Sequence, residues 1–151
     1  MTGWPLFCDF MKKIEIEFEK GGLFTANLLE DKALKTCKEI WDRLPLGYRM
    51  HHSSSAGQGL ACTVDFTVEK ENQQILHTRG QVIFRVADPV RGVQSELIVA
   101  YGLHASYSIR HFSHDPENVF AEIEDDLDEL EKVGRRMFWE GGEKVSIRRK
   151  E

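Results

Sequence analysis

The sequence has little cysteine, no long apolar run and no excess of positive charge, and each shortage excludes something. Cys8, Cys37 and Cys62 are the only cysteines in 151 residues, and none forms a Cys-x-x-Cys pair. So odd and sparse a set builds no disulfide framework and suits a reducing compartment. Apolar runs such as Leu97 to Tyr101 fall far below the ~20 residues needed to cross a bilayer, which excludes a spanning helix and a membrane partner. The 20 Lys and Arg are outnumbered by 25 Asp and Glu, for a net charge of −5. Non-specific nucleic-acid binding rests on neutralising phosphates, so no nucleic-acid partner is expected. Low-complexity disorder is excluded too, because nine Phe and three Trp are spread along the chain. What remains is one domain's length of chain, enough to bury roughly 68–70% of its unfolded surface without staples.

Residues 1–10 (MTGWPLFCDF) are apolar but lack the basic and long apolar regions of a signal peptide. From Met11 onward the chain reads as an ordinary cytosolic β-protein, so a cytoplasmic location is expected. The division is a 1–10 extension followed by an 11–151 domain. The extension is either dispensable or an apolar arm carrying Trp4, Leu6, Phe7 and Phe10 against the domain or a neighbouring subunit.

Lys13 to Glu19 alternates, with Ile14, Ile16 and Phe18 on one face and charges on the other, the period of a half-buried strand. Gly21-Gly22 supplies a tight hairpin, and Leu23 to Leu29 returns as a second strand. After Asp31, a candidate N-cap, Leu34, Cys37, Trp41 and Leu44 predict an amphipathic helix that stops before Pro45. Pro45-Leu46-Gly47 reads as a turn and His51 to Gly59 as a polar stretch. Alternation resumes over Leu60 to Val68 and Gln81 to Val86. Glu96 to Tyr101 reads as a strand buried on both sides; Gly102 interrupts it, and His104 to Ile109 is a weaker strand. Asp115-Pro116 opens a second predicted helix, with Val119, Ile123, Leu127, Leu130, Val133 and Met137 as its stripe. The acids between Glu122 and Glu131 read as a solvated face favourable to its dipole. Lys144 to Arg149 closes as a strand. Cys37 and Cys62 fall on apolar faces and read as buried thiols. Many short strands with two helices predict a barrel or sandwich whose open ends the helices cover.

Several segments carry a family resemblance. Asp31 to Cys37 is similar to the cyclophilin entry into its first helix, with Leu34 where a proline is usual. Val119 to Asp128 resembles the cyclophilin Val-Phe-Gly-x-Val-x-x-Gly-Met-Asp segment, with Ala121 and Asp126 replacing glycines, and Lys144 to Ile147 resembles its final strand. The layout is closer still to a bacterial family of unknown function with a cyclophilin-like fold. The likeness runs through Leu28 to Cys37, Trp41 to Pro45, Glu96 to Gly102, Asn118 to Ala121 and Val133 to Arg136. It implies a mostly β fold: a closed eight-stranded barrel capped by two α-helices.

Isomerase chemistry does not follow from the fold. Cyclophilin isomerases carry Phe-His-Arg-x-Ile, whose arginine contacts the proline amide. Here the region reads Tyr48-Arg49-Met50-His51-His52-Ser53, with no arginine after either histidine, and the Gln-Gly-Gly-Asp stretch is not recognisable. Phe112 falls where isomerases carry a pocket tryptophan. Losing the cation removes several kcal/mol of transition-state stabilisation, so weak or absent prolyl isomerase activity is expected.

Polar and aromatic residues concentrate in Arg49 to Ser55 and Tyr101 to His114. Arg49, His51, His52, Tyr101, His104, Tyr107, Arg110 and His111 are the candidate binding residues, bordering one rim pocket suited to a small carboxylate, an amide or a short peptide. The alternative is that they are ordinary barrel-end side chains. A metal site of His111, His114 and Asp115 with His51 or His52 is also conceivable, but His-x-x-His on a loop lacks fixed helical geometry, and the sequence assigns no metal or cofactor. No catalytic residue is assigned; Ser53 to Ser55 lack a nucleophile elbow. The functional alternatives are an enzyme (a residual prolyl isomerase, or a hydrolase or isomerase of small amides) and a homo-oligomeric assembly protein.

Overall fold

Alternation does in the first hairpin what it predicts. Ile14, Ile16 and Phe18 of β1 (Lys13–Phe18) and Phe24, Ala26 and Leu28 of β2 (Leu23–Leu28) are buried, while the residues between them are half-buried or exposed. The connecting turn places Gly21 and Gly22 at φ +120° and +114°, a region that L side chains rarely enter. The computed structural model describes residues 11–53, 55–108 and 111–151. The extension-or-arm alternative for residues 1–10 lies outside the described residues.

The chain continues through α1 (Leu34–Arg43), β3 (Leu46–His52), β4 (Gly57–Thr63), the two-residue strands β5 (Gln73–Gln74) and β6 (Leu76–His77), and β7 (Gln81–Arg85). It ends with β8 (Glu96–Ala105), β9 (Glu117–Ile123), α2 (Leu127–Glu140) and β10 (Glu143–Arg149). Eight strands run antiparallel in the order β2-β1-β10-β3-β4-β8-β7-β9, and β2 pairs with β9 to close the ring. Outside the ring, β5 adds to β9 and β6 to β8. The barrel interior is one apolar core in which Phe18, Phe24, Phe84 and Phe120 are fully buried. Each such side chain contributes about 1.5–3 kcal/mol by leaving water.

The helices add their apolar stripes to this core. From α1 come Cys37 and Ile40; from α2 come Leu130, Val133 and Met137. Gly134 lets α2 lie directly on the barrel, since a Cβ there would fall 2.2 Å from Cδ1 of Tyr101. Burial pushes both the Cys37 and Cys62 thiols up to about 12, as inert structural thiols require. Among the described residues, no helix is long and apolar enough to cross a membrane.

Four elements differ from expectation. The second helix does not begin near Asp115: Glu117–Ile123 is strand β9, and α2 starts only at Leu127, after Asp126 turns the chain at φ 60°. Val119 and Ile123 share a helical spacing, yet Val119 to Ala121 are consecutive and all buried, a pattern that fits a strand covered on both faces. The Leu46–Gly47 turn and the start of the polar stretch form β3, held between β10 and β4 although Met50 is its only fully buried residue. Gly102 does not interrupt β8, which runs unbroken to Ala105. Asp31 is not the cap of α1 either; Ala33 occupies that position without a side-chain hydrogen bond.

Candidate functional site

The two faces of β8 are buried for different reasons. Leu97, Val99 and Tyr101 point into the main core, while Ile98 and Ala100 join Ile83 and Val119 in a small separate cluster on the outer wall. Segment Gln73–His77 and the chain after Ala105 hydrogen-bond across this region: Ser106 N–H donates to Ile75 O at 2.8 Å, and Gln73 Nε2 donates to Pro116 O at 3.2 Å. Polar residues that β7, β8 and β9 present outward are thereby trapped under cover.

Two imidazoles meet there. His77 on β6 lies opposite His104 on β8 in the strand register, and their Nδ1 atoms are 2.9 Å apart. His77 Nε2 is 2.9 Å from Gln74 O, an acceptor only, so that nitrogen carries the proton and Nδ1 of His77 is a lone pair. His104 Nδ1–H therefore donates to it. Room for the His104 ring comes from Gly59, where a Cβ would sit 2.6 Å from the imidazole Cδ2. Burial, reinforced by the neighbouring His77, holds the His104 pKa down to about 4; burial lowers that of His77 as well. Both rings are neutral at physiological pH.

Glu117 opens β9 on the same wall, 3% exposed, with Oε1 lacking any hydrogen-bond partner. Burial pushes its carboxyl up to about 7, although Arg85 and the Ser106 hydroxyl pull the other way. Arg85 is itself committed to Glu96, its cross-strand partner, at 3.1 Å. Burial raises the Glu96 carboxyl despite that guanidinium. These groups surround a cavity of about 280 Å³, walled by Arg85, Glu96, Glu117 and His104 and roofed by His51, His52, Ser55 and Tyr107.

Of the residues singled out from the sequence, His51, His52, His104 and Tyr107 therefore converge on one cavity. Tyr101 reaches it indirectly. Its ring belongs to the core, and its hydroxyl lies 2.6 Å from His52 Nε2, while His52 Nδ1–H donates to Ser53 O at 2.7 Å. The ring of Phe138 on α2 stands edge-on to His52, 4.9 Å between centroids. Arg49 is elsewhere, donating to Gly142 O at 2.8 Å in a shallow groove beside Tyr48 and Lys144. His111 lines an adjoining cleft with Arg85 and Tyr107, its Nε2 buried and unpartnered. Arg110 lies outside the described residues. The cavity sits on the outer wall of the strands, not in the barrel mouth.

The His111, His114 and Asp115 arrangement does not form a ligand cluster. Asp115 is held by Arg91 at 3.0 Å, and His114 Nδ1 bonds to Ser106 O at 2.8 Å. Among the described residues, the group whose ligating atoms come together is His77, His104 and Glu117, all within 4.8 Å of one another. Sequence reading missed His77, Arg85, Glu96 and Glu117. One signal was available: Glu96 and Glu117 each stand at the head of a strongly apolar run, where the strand draws a carboxylate under cover.

Comparison with known proteins fits the fold. A family model described as a protein of unknown function, DUF3830, matches residues 16–148. The solved structure of McbB in complex with tryptophan superposes with a TM-score of 0.73 at 22% identity, over 91% of this chain and 44% of that one. The chain thus spans less than half the length of McbB. The solution structure of the hypothetical protein AF2241 from Archaeoglobus fulgidus gives a TM-score of 0.60 at 20% identity, over 93% of this chain and 95% of that one. At these identities the likeness is one of fold. No curated protein matches the chain.

Proposed function

Because the chain belongs to the DUF3830 family, whose function is unknown, we propose its role from the chemistry of the site: a barrel that binds one small polar molecule in the outer-wall cavity, without cyclophilin-type prolyl isomerisation. The observation that carries this reading is the unpartnered Oε1 of buried Glu117. A buried acceptor left unmade costs about 1–3 kcal/mol, and an N–H or O–H of a guest recovers it. Arg85, held by Glu96 and by Gln94 O, sets positive charge on the cavity wall beside the same guest. At about 280 Å³ the cavity is at the small end of ligand sites, which favours a single amino acid, a primary amide or a short carboxylate over a folded partner. Tryptophan is a natural first probe, since McbB is a solved neighbour described with it. Absence of an isomerase is supported by Arg49, the sole arginine of the Tyr48–Ser53 stretch, whose guanidinium is held on Gly142 O and does not line the cavity.

The test is a thermal-shift panel of amino acids, amides and carboxylates on EDTA-treated protein. A binder at a hundredfold its Kd adds about 2.7 kcal/mol, a Tm rise of several degrees. Glu117→Gln and Arg85→Met should abolish that shift, and turnover of a proline peptide should stay at the uncatalysed rate. No shift anywhere in the panel, or a shift indifferent to both substitutions, overturns the reading.

A second reading, an enzyme acting on a small amide, is favoured by one observation. A Glu117 carboxyl poised near 7 is suited to giving and taking a proton at neutral pH. Turnover of a panel binder that disappears in Glu117→Gln while binding persists would establish it.

A further inference from the structure

We propose that His77, His104 and Glu117 form a binding site for one divalent first-row transition ion of the zinc type, opening onto the cavity. The proposal rests on the cavity reading only in needing the cavity open to solvent; it requires no organic guest. The ligating atoms lie within 4.8 Å of one another and belong to residues 0%, 2% and 3% exposed. Surface carboxylates cluster by accident, whereas two imidazoles and a carboxylate buried together are held by the fold. Here the holding is done by backbone register. His77 is paired with His104 across β6 and β8, and Gln74, three residues before His77, is paired with Glu117 across β5 and β9.

Each donor is prepared for the ion. Gln74 O accepts the proton of His77 Nε2 at 2.9 Å, the outer-shell bond that fixes a ligating imidazole and frees its other nitrogen. Glu117 Oε1 is a buried lone-pair donor with nothing to receive it. The hydrogen atom between the two Nδ1 atoms is what an ion would displace. His104 then carries its proton on Nε2 instead, so both rings stay neutral and no proton is lost from either. The field is also suitable. Arg85 is engaged by Glu96 at 3.1 Å and Arg91 by Asp115 at 3.0 Å, so neither guanidinium is ion-paired with Glu117, which binds the ion as a carboxylate by releasing its proton to solvent.

The donor set selects the class of ion. Two nitrogens and one oxygen suit zinc, cobalt, nickel or ferrous iron, whereas calcium and magnesium take oxygens throughout. Three protein ligands leave a coordination position for water or a guest, and the cavity borders His104 and Glu117 on that side.

Co²⁺ reports this directly. EDTA-stripped full-length protein titrated with Co²⁺ should develop visible d–d absorption that saturates at one ion per chain and is erased by Zn²⁺. Glu117→Gln, His104→Gln and His77→Gln, checked for folding by circular dichroism, should each weaken uptake by about tenfold or more. Arg49→Ala, outside the cavity lining, should leave it unchanged. Absence of stoichiometric absorption in the unaltered protein overturns the site whatever the variants do. So does absorption that survives all three substitutions. Because the organic panel is run in EDTA, a failed metal titration and a failed panel are separate results.

Discussion

The inner and outer faces of β8 make an internal control. Leu97 and Val99 face a core built from aliphatic and aromatic side chains, while Glu96 and His104, on the same strand, face carboxylates, imidazoles and a guanidinium. Both faces are shielded from water; the inner one is apolar throughout, whereas the outer one pairs a small apolar patch of Ile83, Ile98, Ala100 and Val119 with buried polar groups whose burial is costly. Burial on the inside is uniform and tolerant of which apolar residue fills a position; on the outside it leaves Glu117 with an unmet acceptor and two imidazoles sharing one hydrogen atom. A wall with one stabilising face and one costly face is what a fold carrying a site looks like.

The contrast can be broken from either side. The largest effect should come from the interior: Phe84→Ala, at a fully buried ring, is expected to cost about 3–5 kcal/mol in urea denaturation. If it costs no more than Ile98→Val on the outer cluster, expected at about 0.5–1.5 kcal/mol, the two faces are not energetically distinct.

Next is the outer wall, where pH sharpens the comparison. Burial raises Glu117 from 4.5 to about 7, so between those values the native state keeps a proton that the unfolded chain has lost, and stability falls as pH rises. His104, lowered from 6.5 to about 4, works the opposite way: stability is lost as pH falls through that window. His77, also lowered, adds to the second slope. The slopes oppose one another over the shared range. Glu117→Gln removes the first and leaves the second. In EDTA it should gain on the unaltered protein by about 2–3 kcal/mol from mildly acid to mildly alkaline pH, and lose stability more steeply on acidification. A stability difference independent of pH would show that Glu117 ionises freely, and the outer wall would cease to be a costly face.

The smallest effect should be at Arg49. It donates one exposed hydrogen bond to Gly142 O, so Arg49→Ala should move stability by about 0.5 kcal/mol or less and leave cavity binding untouched. A loss of binding in that variant would reconnect the groove to the site.

Legibility in the sequence followed the same division. β1 and β10 could be read because one face is apolar and the other mostly charged, β2 because Phe24, Ala26 and Leu28 alternate after the Gly21-Gly22 turn, β7 because Val82, Phe84 and Val86 recur at every second position, and α1 because its stripe keeps a helical period. β9 was hidden because consecutive burial at Val119, Phe120 and Ala121 erases the two-residue period, and β3 because Met50 alone marks its buried side. At the site, His51, His52, His104 and Tyr107 stood out as polar residues in loops and strand ends. His77 and Glu117 did not, since what makes them partners is register: His77 opposite His104, and Gln74 opposite Glu117. No local pattern encodes a pairing between strands so far apart in the chain. Arg49 was misplaced for a different reason: it leaves β3 on the same face as His51, two residues on, but its long side chain turns away to Gly142 O, a contact that local sequence does not reveal.

Ring closure has a kinetic corollary. β1 pairs Ile14 with Arg149, and β2 pairs Ala26 with Ile123, so two of the seams that seal the barrel join segments from opposite ends of the chain. Loop-closure entropy must be met before these contacts return anything, which puts such a topology among slow folders. Until β10 arrives, the unpaired edges of β1 and β3 are open to strands of other molecules, and the time spent in that state, more than final stability, governs how much of the chain reaches the closed form.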